Sequence, residues 1–160
     1  MIKHQIFNKL HLYTKCYNLC KKKEQDMTKV VDIEGVGPVF AKKLQEVGIA
    51  SVEALLKAGA TPEGRKEISA KIGIDHHKIL SWVNFADLYR IKGVGSEYSE
   101  LLEQAGVDTI VELSKRVPAN LHAKIAEVNA EKKLVRREPT LKEVHSWVEQ
   151  AKQLDRVIKY

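Results

Sequence analysis

Ile33-Glu34-Gly35-Val36-Gly37-Pro38-Val39-Phe40-Ala41-Lys42-Lys43-Leu44 decides the fold. The stretch returns 58 residues later as Ile91-Lys92-Gly93-Val94-Gly95-Ser96-Glu97-Tyr98-Ser99-Glu100-Leu101-Leu102. Gly-Val-Gly is too tight for a strand and too rich in glycine for a helix interior, so each copy predicts a hairpin turn that runs into a helix. Pro38 suits the first helical position, where a missing N–H costs nothing, and Ser96 is the expected N-cap of the second copy. Ala41 and Leu44 follow at helical spacing, and Gly48 is placed to stop the helix. The valine between the glycines is expected in the core. The glycines leave the backbone N–H groups beside it uncovered, and uncovered amides at a helix N-terminus form an anion site.

The duplication runs past the turns. Leu44, Gly48, Ile49, Val52, Leu55 and Lys57 match Leu102, Gly106, Val107, Ile110, Leu113 and Lys115 at the same offset. Ala70-Lys71-Ile72 recurs as Ala123-Lys124-Ile125, and Ser81-Trp82-Val83 as Ser146-Trp147-Val148. Phe40 and Tyr98 match as well. The second unit carries an insertion that includes Lys132-Lys133-Leu134-Val135-Arg136-Arg137. No segment alternates with a strand period, so the expected fold class is all-α; with the resemblance given below, it is two tandem helix-hairpin-helix repeats packed as one compact unit.

Start and stop signals divide the chain into helices. Thr28 to Ile33 reads as a helical lead. Ser51 caps a helix over about 52–57 that Gly59 stops. Thr61-Pro62 opens one that Gly73 ends, and Asp75 opens another reaching about Tyr89. In the second unit Asp108 is the expected cap of 109–116, a further helix begins near Asn120, and Thr140-x-x-Glu143 is a capping box for a last helix ending near Asp155. The domain reading is 1–26 as a basic extension, 27–90 as the first repeat and 91–160 as the second.

Gly-Val-Gly-Pro-x-x-Ala-Lys-Lys-Leu resembles the helix-hairpin-helix motif of DNA repair and recombination proteins, in particular the second such motif of the β-type DNA polymerases. Glu46-Val47-Gly48-Ile49 and Val52-Glu53-Ala54-Leu55 resemble the continuation in those enzymes. The resemblance implies that the amides of Gly35, Gly37 and Val39, flanking Val36, hold a DNA phosphate with Lys42 and Lys43 in support, and that a monovalent cation can sit at the first hairpin. Residues 27–160 as a whole resemble an uncharacterised bacterial family of tandem helix-hairpin-helix proteins, classed as a domain of unknown function.

With 160 residues, 44% hydrophobic and 30% charged, the chain has the composition of a soluble globular protein of one domain or two small ones. No apolar run approaches a membrane span, and the N-terminus lacks the apolar core and cleavage site of a secretory signal. With two cysteines, Cys16 and Cys20, a cytoplasmic protein without structural disulfides is expected. The net charge of +6 is unevenly spread. Residues 1–26 carry six lysines against Glu24 and Asp26, while residues 27–160 carry 21 basic and 19 acidic groups. Clustering on one face, not net charge, must therefore attract any polyanion.

In residues 1–26, Ile6, Leu10, Tyr13, Tyr17 and Cys20 form a helical stripe. Two readings stand: a docking helix, or a segment that does not belong to the native protein, which then starts at Met27. Cys16 and Cys20 read as reduced thiols, not metal ligands.

The second hairpin, with Lys92, Gly93 and Gly95, is the weaker anion site because Glu97, Glu100 and Glu103 load its helix with like charge. Lys132, Lys133, Arg136 and Arg137 form the dense basic cluster of residues 27–160, spaced to meet successive phosphates. Trp82 and Trp147 read as core. With 6% aromatic residues, base stacking is not expected to carry binding. His76, His77, His122 and His145 read as lone surface histidines, and Glu63, Glu67 and Asp87 as scattered helix charges. No nucleophile–base pair and no metal cluster is visible, so no enzyme, no cofactor and no small-molecule substrate is expected. The expected function is DNA binding through the phosphate backbone without sequence readout. The alternative is a protein–protein adaptor in which the hairpins only hold the repeats together.

Overall fold

The computed structural model describes residues 28–160; the stripe Ile6 to Cys20 and the pair Cys16–Cys20 lie outside the described residues. Eight α-helices follow a 3-10 turn at Val30–Asp32: α1 Gly37–Glu46, α2 Val52–Ala58, α3 Pro62–Ile72, α4 His76–Leu88, α5 Ser96–Gln104, α6 Ile110–Ser114, α7 Pro118–Lys132 and α8 Leu141–Lys152. The fold of the described residues is all-α.

Capping chemistry sets most boundaries. Ser51 and Thr61 accept the N–H of the third residue on, both at 3.1 Å, and Asp75 accepts that of His77 at 2.7 Å. Thr140 and Glu143 complete their box. Gly73 ends α3 in the left-handed region at φ 70°.

Several expected boundaries move. Gly95, not Ser96, is the N-cap of α5: it is extended (φ −110°, ψ −160°) and its carbonyl takes the N–H of Ser99 at 2.9 Å, which leaves Ser96 as the first helical residue. Thr109, not Asp108, caps α6 by accepting the Glu112 N–H at 3.3 Å, as Ser51 does at the matching place 58 residues earlier. Helix α7 starts at Pro118, whose ring suits a first turn. The lead into the first turn is not a full helix. Lys29 pairs with Ser51 in an antiparallel bridge, with Val30 donating to Ala50 at 3.1 Å and Val52 to Thr28 at 3.0 Å.

Each half is built on a helix that carries a tryptophan. Helices α2 and α3 pack on α4, which holds Trp82; α6 and α7 pack on α8, which holds Trp147. Two apolar clusters result, one from Val30 to Ala86 and one from Leu88 to Ala151, with Val36 buried in the first and Val94 in the second. The chain after α8 crosses back, and Ile158 joins the first cluster. Lys159 donates to the Ala60 carbonyl at 2.8 Å, and buried Arg65 donates to the carbonyls of Lys159 and Gly59, each at 2.9 Å. The last helix therefore stops at Lys152, short of Asp155, to free this tail.

Asp87 is not a surface charge. It is 2% exposed, paired with Arg90 at 2.9 Å, and accepts the Ile110 N–H at 3.1 Å. A buried carboxylate is tolerable because both of its oxygens are satisfied. It ties the end of α4 to the start of α6.

Candidate nucleic-acid interface

The two glycine turns close alike: Val36 donates to the Ile33 carbonyl and Val94 to the Ile91 carbonyl, both at 3.1 Å. Gly35 and Gly93 are left-handed, at φ 79° and 93°. A Cβ on Gly35 would stand 3.5 Å from Trp82 Nε1, and one on Gly93 would stand 3.2 Å from Trp147 Nε1. Glycine is needed at both places for the backbone and, at 93, for the indole behind it. In front of each indole lies a second ring, Phe40 at 5.5 Å and Tyr98 at 5.2 Å between centroids. The turns differ at their second glycine, since Gly37 is left-handed (φ 55°) within α1 while Gly95 is extended.

Among the described residues no protein acceptor takes the N–H of Gly35, Gly37 or Val39. Their residues line a depression of about 610 Å³, together with Phe40 and, from the second turn, Ser96. The turns are thus neighbours, and Tyr89, just before the second turn, donates its phenol proton to the Asp32 carbonyl beside the first at 2.8 Å. The second turn is strapped down. Gln150 of α8 accepts the Lys92 N–H at 2.9 Å and donates to the Lys92 carbonyl at 3.4 Å.

The basic residues divide. Lys42 is exposed. Lys43 is also exposed along its stem, but its ammonium donates to the Ile72 carbonyl at 3.2 Å, capping the end of α3. The Lys92, Lys133 and Arg136 side chains are exposed, Lys133 closing α7 in the left-handed region at φ 53°. Lys132 donates to Gln104. Arg137 holds Glu143 through both terminal nitrogens, at 3.0 and 2.7 Å. That guanidinium, with the Thr140 backbone and hydroxyl, lowers the Glu143 carboxyl to about 2. The Arg137 carbonyl accepts the Tyr98 phenol at 3.0 Å, so the basic segment runs beside the second turn.

Acidic groups edge the same ground. Asp32 and Glu34 line the depression. Burial pushes the Glu100 carboxyl up, the charge of Glu34 adds to this, and Lys132 opposes it. Glu103 is raised by burial, then by Asp108 and Glu100. Of the α5 carboxylates, Glu100 is thus the one that feels the charge of Glu34 at the first turn.

Lys78 belongs to this place and carries no motif. Its Nζ lies 4.7 Å from the Phe40 centroid and 5.7 Å from that of Trp82, a cation held over the aromatic pair. Its signal was its spacing, one helical turn before Trp82. The matching place before Trp147 holds Glu143.

Two histidine readings change. His76 and His77 come together with Asp75, their ligand atoms within 4.8 Å of one another, exposed at the first turn of α4 where the helix dipole disfavours a cation. His122 is half-buried, its Nε2 3.1 Å from the Pro139 carbonyl. No helix among the described residues is long and apolar enough to cross a membrane.

Residues 34–154 match the family described as Domain of unknown function (DUF4332). The chain belongs to that family. The DUF4332 match opens inside the first glycine turn, takes in both tryptophans, and stops before the tail that packs on the first cluster. No curated protein and no solved structure matches the chain.

Proposed function

We propose that this DUF4332 protein consists of two tandem helix-hairpin-helix repeats and binds the phosphate backbone of DNA without reading its sequence. The observation that carries the reading is the first turn: the N–H groups of Gly35, Gly37 and Val39, unclaimed by the protein, open at the start of α1 beside exposed Lys42. Amides at a helix start offer both directed donors and a positive dipole end to an anion. Gly93 and Gly95, with Lys92, offer a second contact, and Lys133 and Arg136 flank it. The reading assigns binding and no catalysis.

Fluorescence anisotropy with two duplexes of unrelated sequence tests this at low salt. Equal affinity for both, weakened by Lys42→Ala, is the expected result. A strong preference for one duplex would contradict backbone recognition, and no binding to either would remove it. Gly37→Val places a side chain at a left-handed residue against the bound phosphate, and it should abolish binding at this turn in a protein whose circular dichroism is unchanged.

One observation favours the adaptor reading. Asp32 and Glu34 line the depression, and Val39 beside them is 69% exposed, a combination suited to a protein surface. Loss of DNA binding in the first experiment would leave that reading in place.

A further inference from the structure

We propose that the indole N–H of Trp82 is itself a donor to the anion at the first turn, an inference that rests on the phosphate reading of that turn. Trp82 is 2% exposed, yet its Nε1 bonds to no acceptor among the described residues. A buried indole N–H normally finds a partner. This one is not sealed away either, because the fully buried side-chain polar atom left without a partner among the described residues is Asn84 Oδ1. Its position explains the opening. The nitrogen stands directly behind Gly35, 3.5 Å from where a Cβ would sit. With no side chain at 35, the nitrogen is left uncovered on that side of the turn, beside the free amides of Gly35 and Gly37.

Charge falls on the same spot. Lys78 is held over Phe40 and Trp82, so a cation accompanies the indole, and among the described residues it pairs with no carboxylate. An oxyanion with several lone pairs, a phosphate above all, fits convergent N–H donors beside one ammonium. The second half lacks this combination. Trp147 also stands behind its glycine, but Glu143 occupies the place of Lys78 and is committed to Arg137, while Gln150 fastens the turn through Lys92.

The full chain has two tryptophans, hence two indole N–H resonances after ¹⁵N labelling, and Trp147→Phe assigns them. The labelled protein is titrated with a random duplex and, separately, with inorganic phosphate, with duplex binding followed in parallel by anisotropy. The expected result is a downfield shift of the Trp82 resonance that saturates with the anisotropy, and a smaller change at Trp147. A shift with duplex alone assigns the donor to a polymer backbone, and a shift with both assigns it to phosphate in either form. Trp82→Phe keeps an aromatic ring, removes the donor and should weaken duplex binding about tenfold. Lys78→Gln, on the surface, should lower the salt dependence by about one contact. Duplex binding with an unmoved Trp82 resonance would overturn the inference and leave the turn amides in their role. Absence of binding to both duplex and phosphate would overturn the reading beneath it, and the inference with it.

Discussion

The buried carboxylate of Asp87 accepts the backbone N–H of Ile110 at 3.1 Å, joining the helix that carries the first tryptophan to the start of α6 in the second half. In the first half the matching N–H, that of Val52, is taken by a backbone carbonyl, Thr28, at 3.0 Å. One position is thus satisfied by main chain in one half and by a side chain in the other. Removing that side chain strands the Ile110 N–H and takes the carboxylate from Arg90, which keeps a bond to the Asp155 carbonyl at 3.0 Å. Asp87→Ala should cost about 2–3 kcal/mol, less than a fully buried pair because Arg90 keeps some solvent. Asp87→Asn, which keeps an acceptor, should cost less. Urea denaturation of the two variants checks the order, and equal losses would deny the hydrogen bond its role.

The glycine turns make a graded prediction. Gly37 is left-handed but has nothing within 4 Å of a Cβ, so Gly37→Ala should cost about 1 kcal/mol of backbone strain. At Gly93 the same strain is joined by an indole 3.2 Å away, so Gly93→Ala should lose more. Thermal melts of both variants decide this. A Gly93→Ala protein no less stable than Gly37→Ala would show that Trp147 yields freely.

These positions also show what can be read from the chain alone. The turns, the all-helical class and the burial of Val36 and Val94 follow from local rules: glycine punctuation, capping residues and apolar spacing. Errors of one residue, such as Gly95 for Ser96 and Thr109 for Asp108, arise where two adjacent residues can both cap and tertiary geometry chooses. Asp87, Arg65 and Lys43 misled or went unnoticed for another reason. Their partners lie on the main chain far away in sequence, at Ile110, Lys159 and Ile72, and carbonyls and N–H groups leave no mark in a sequence. Lys78 was silent because a cation over an aromatic pair needs Phe40 and Trp82 brought together first.

Opposite pKa shifts give opposite acid responses. The Glu143 carboxyl is held down at about 2 by Arg137 and Thr140, so its stabilising effect is present above the ordinary carboxylate range and is lost as pH falls from about 4.5 through 2. Glu143→Gln should flatten the loss of stability in that window. Glu100 is raised by burial and by Glu34, so its favourable contribution exists when protonated and is lost as pH rises through its folded value. Glu100→Gln should therefore raise the melting temperature at neutral pH and leave that variant less sensitive to mild acid. A melting temperature lowered at neutral pH would contradict the crowding of Glu100 with Glu34.

The two adjacent lysines of α1 should separate. Lys43 caps α3 through the Ile72 carbonyl, so Lys43→Ala is expected to lower stability by about 0.5–1 kcal/mol with a lesser effect on DNA binding. Lys42→Ala should do the reverse, leaving the melt unchanged and weakening binding. Melts and anisotropy on the same two preparations check the pairing, and the opposite assignment would move the interface to the α3 side of the helix.

The most direct measurement is the affinity for a random-sequence duplex as a function of salt. Binding should be weak near physiological salt, with a dissociation constant of about 10⁻⁴ to 10⁻⁶ M, and log affinity should fall linearly with log salt concentration as counterions are released. Lys42→Ala should make that slope shallower by about one contact. No detectable binding at low salt, or binding that ignores salt, would contradict phosphate capture at the first glycine turn.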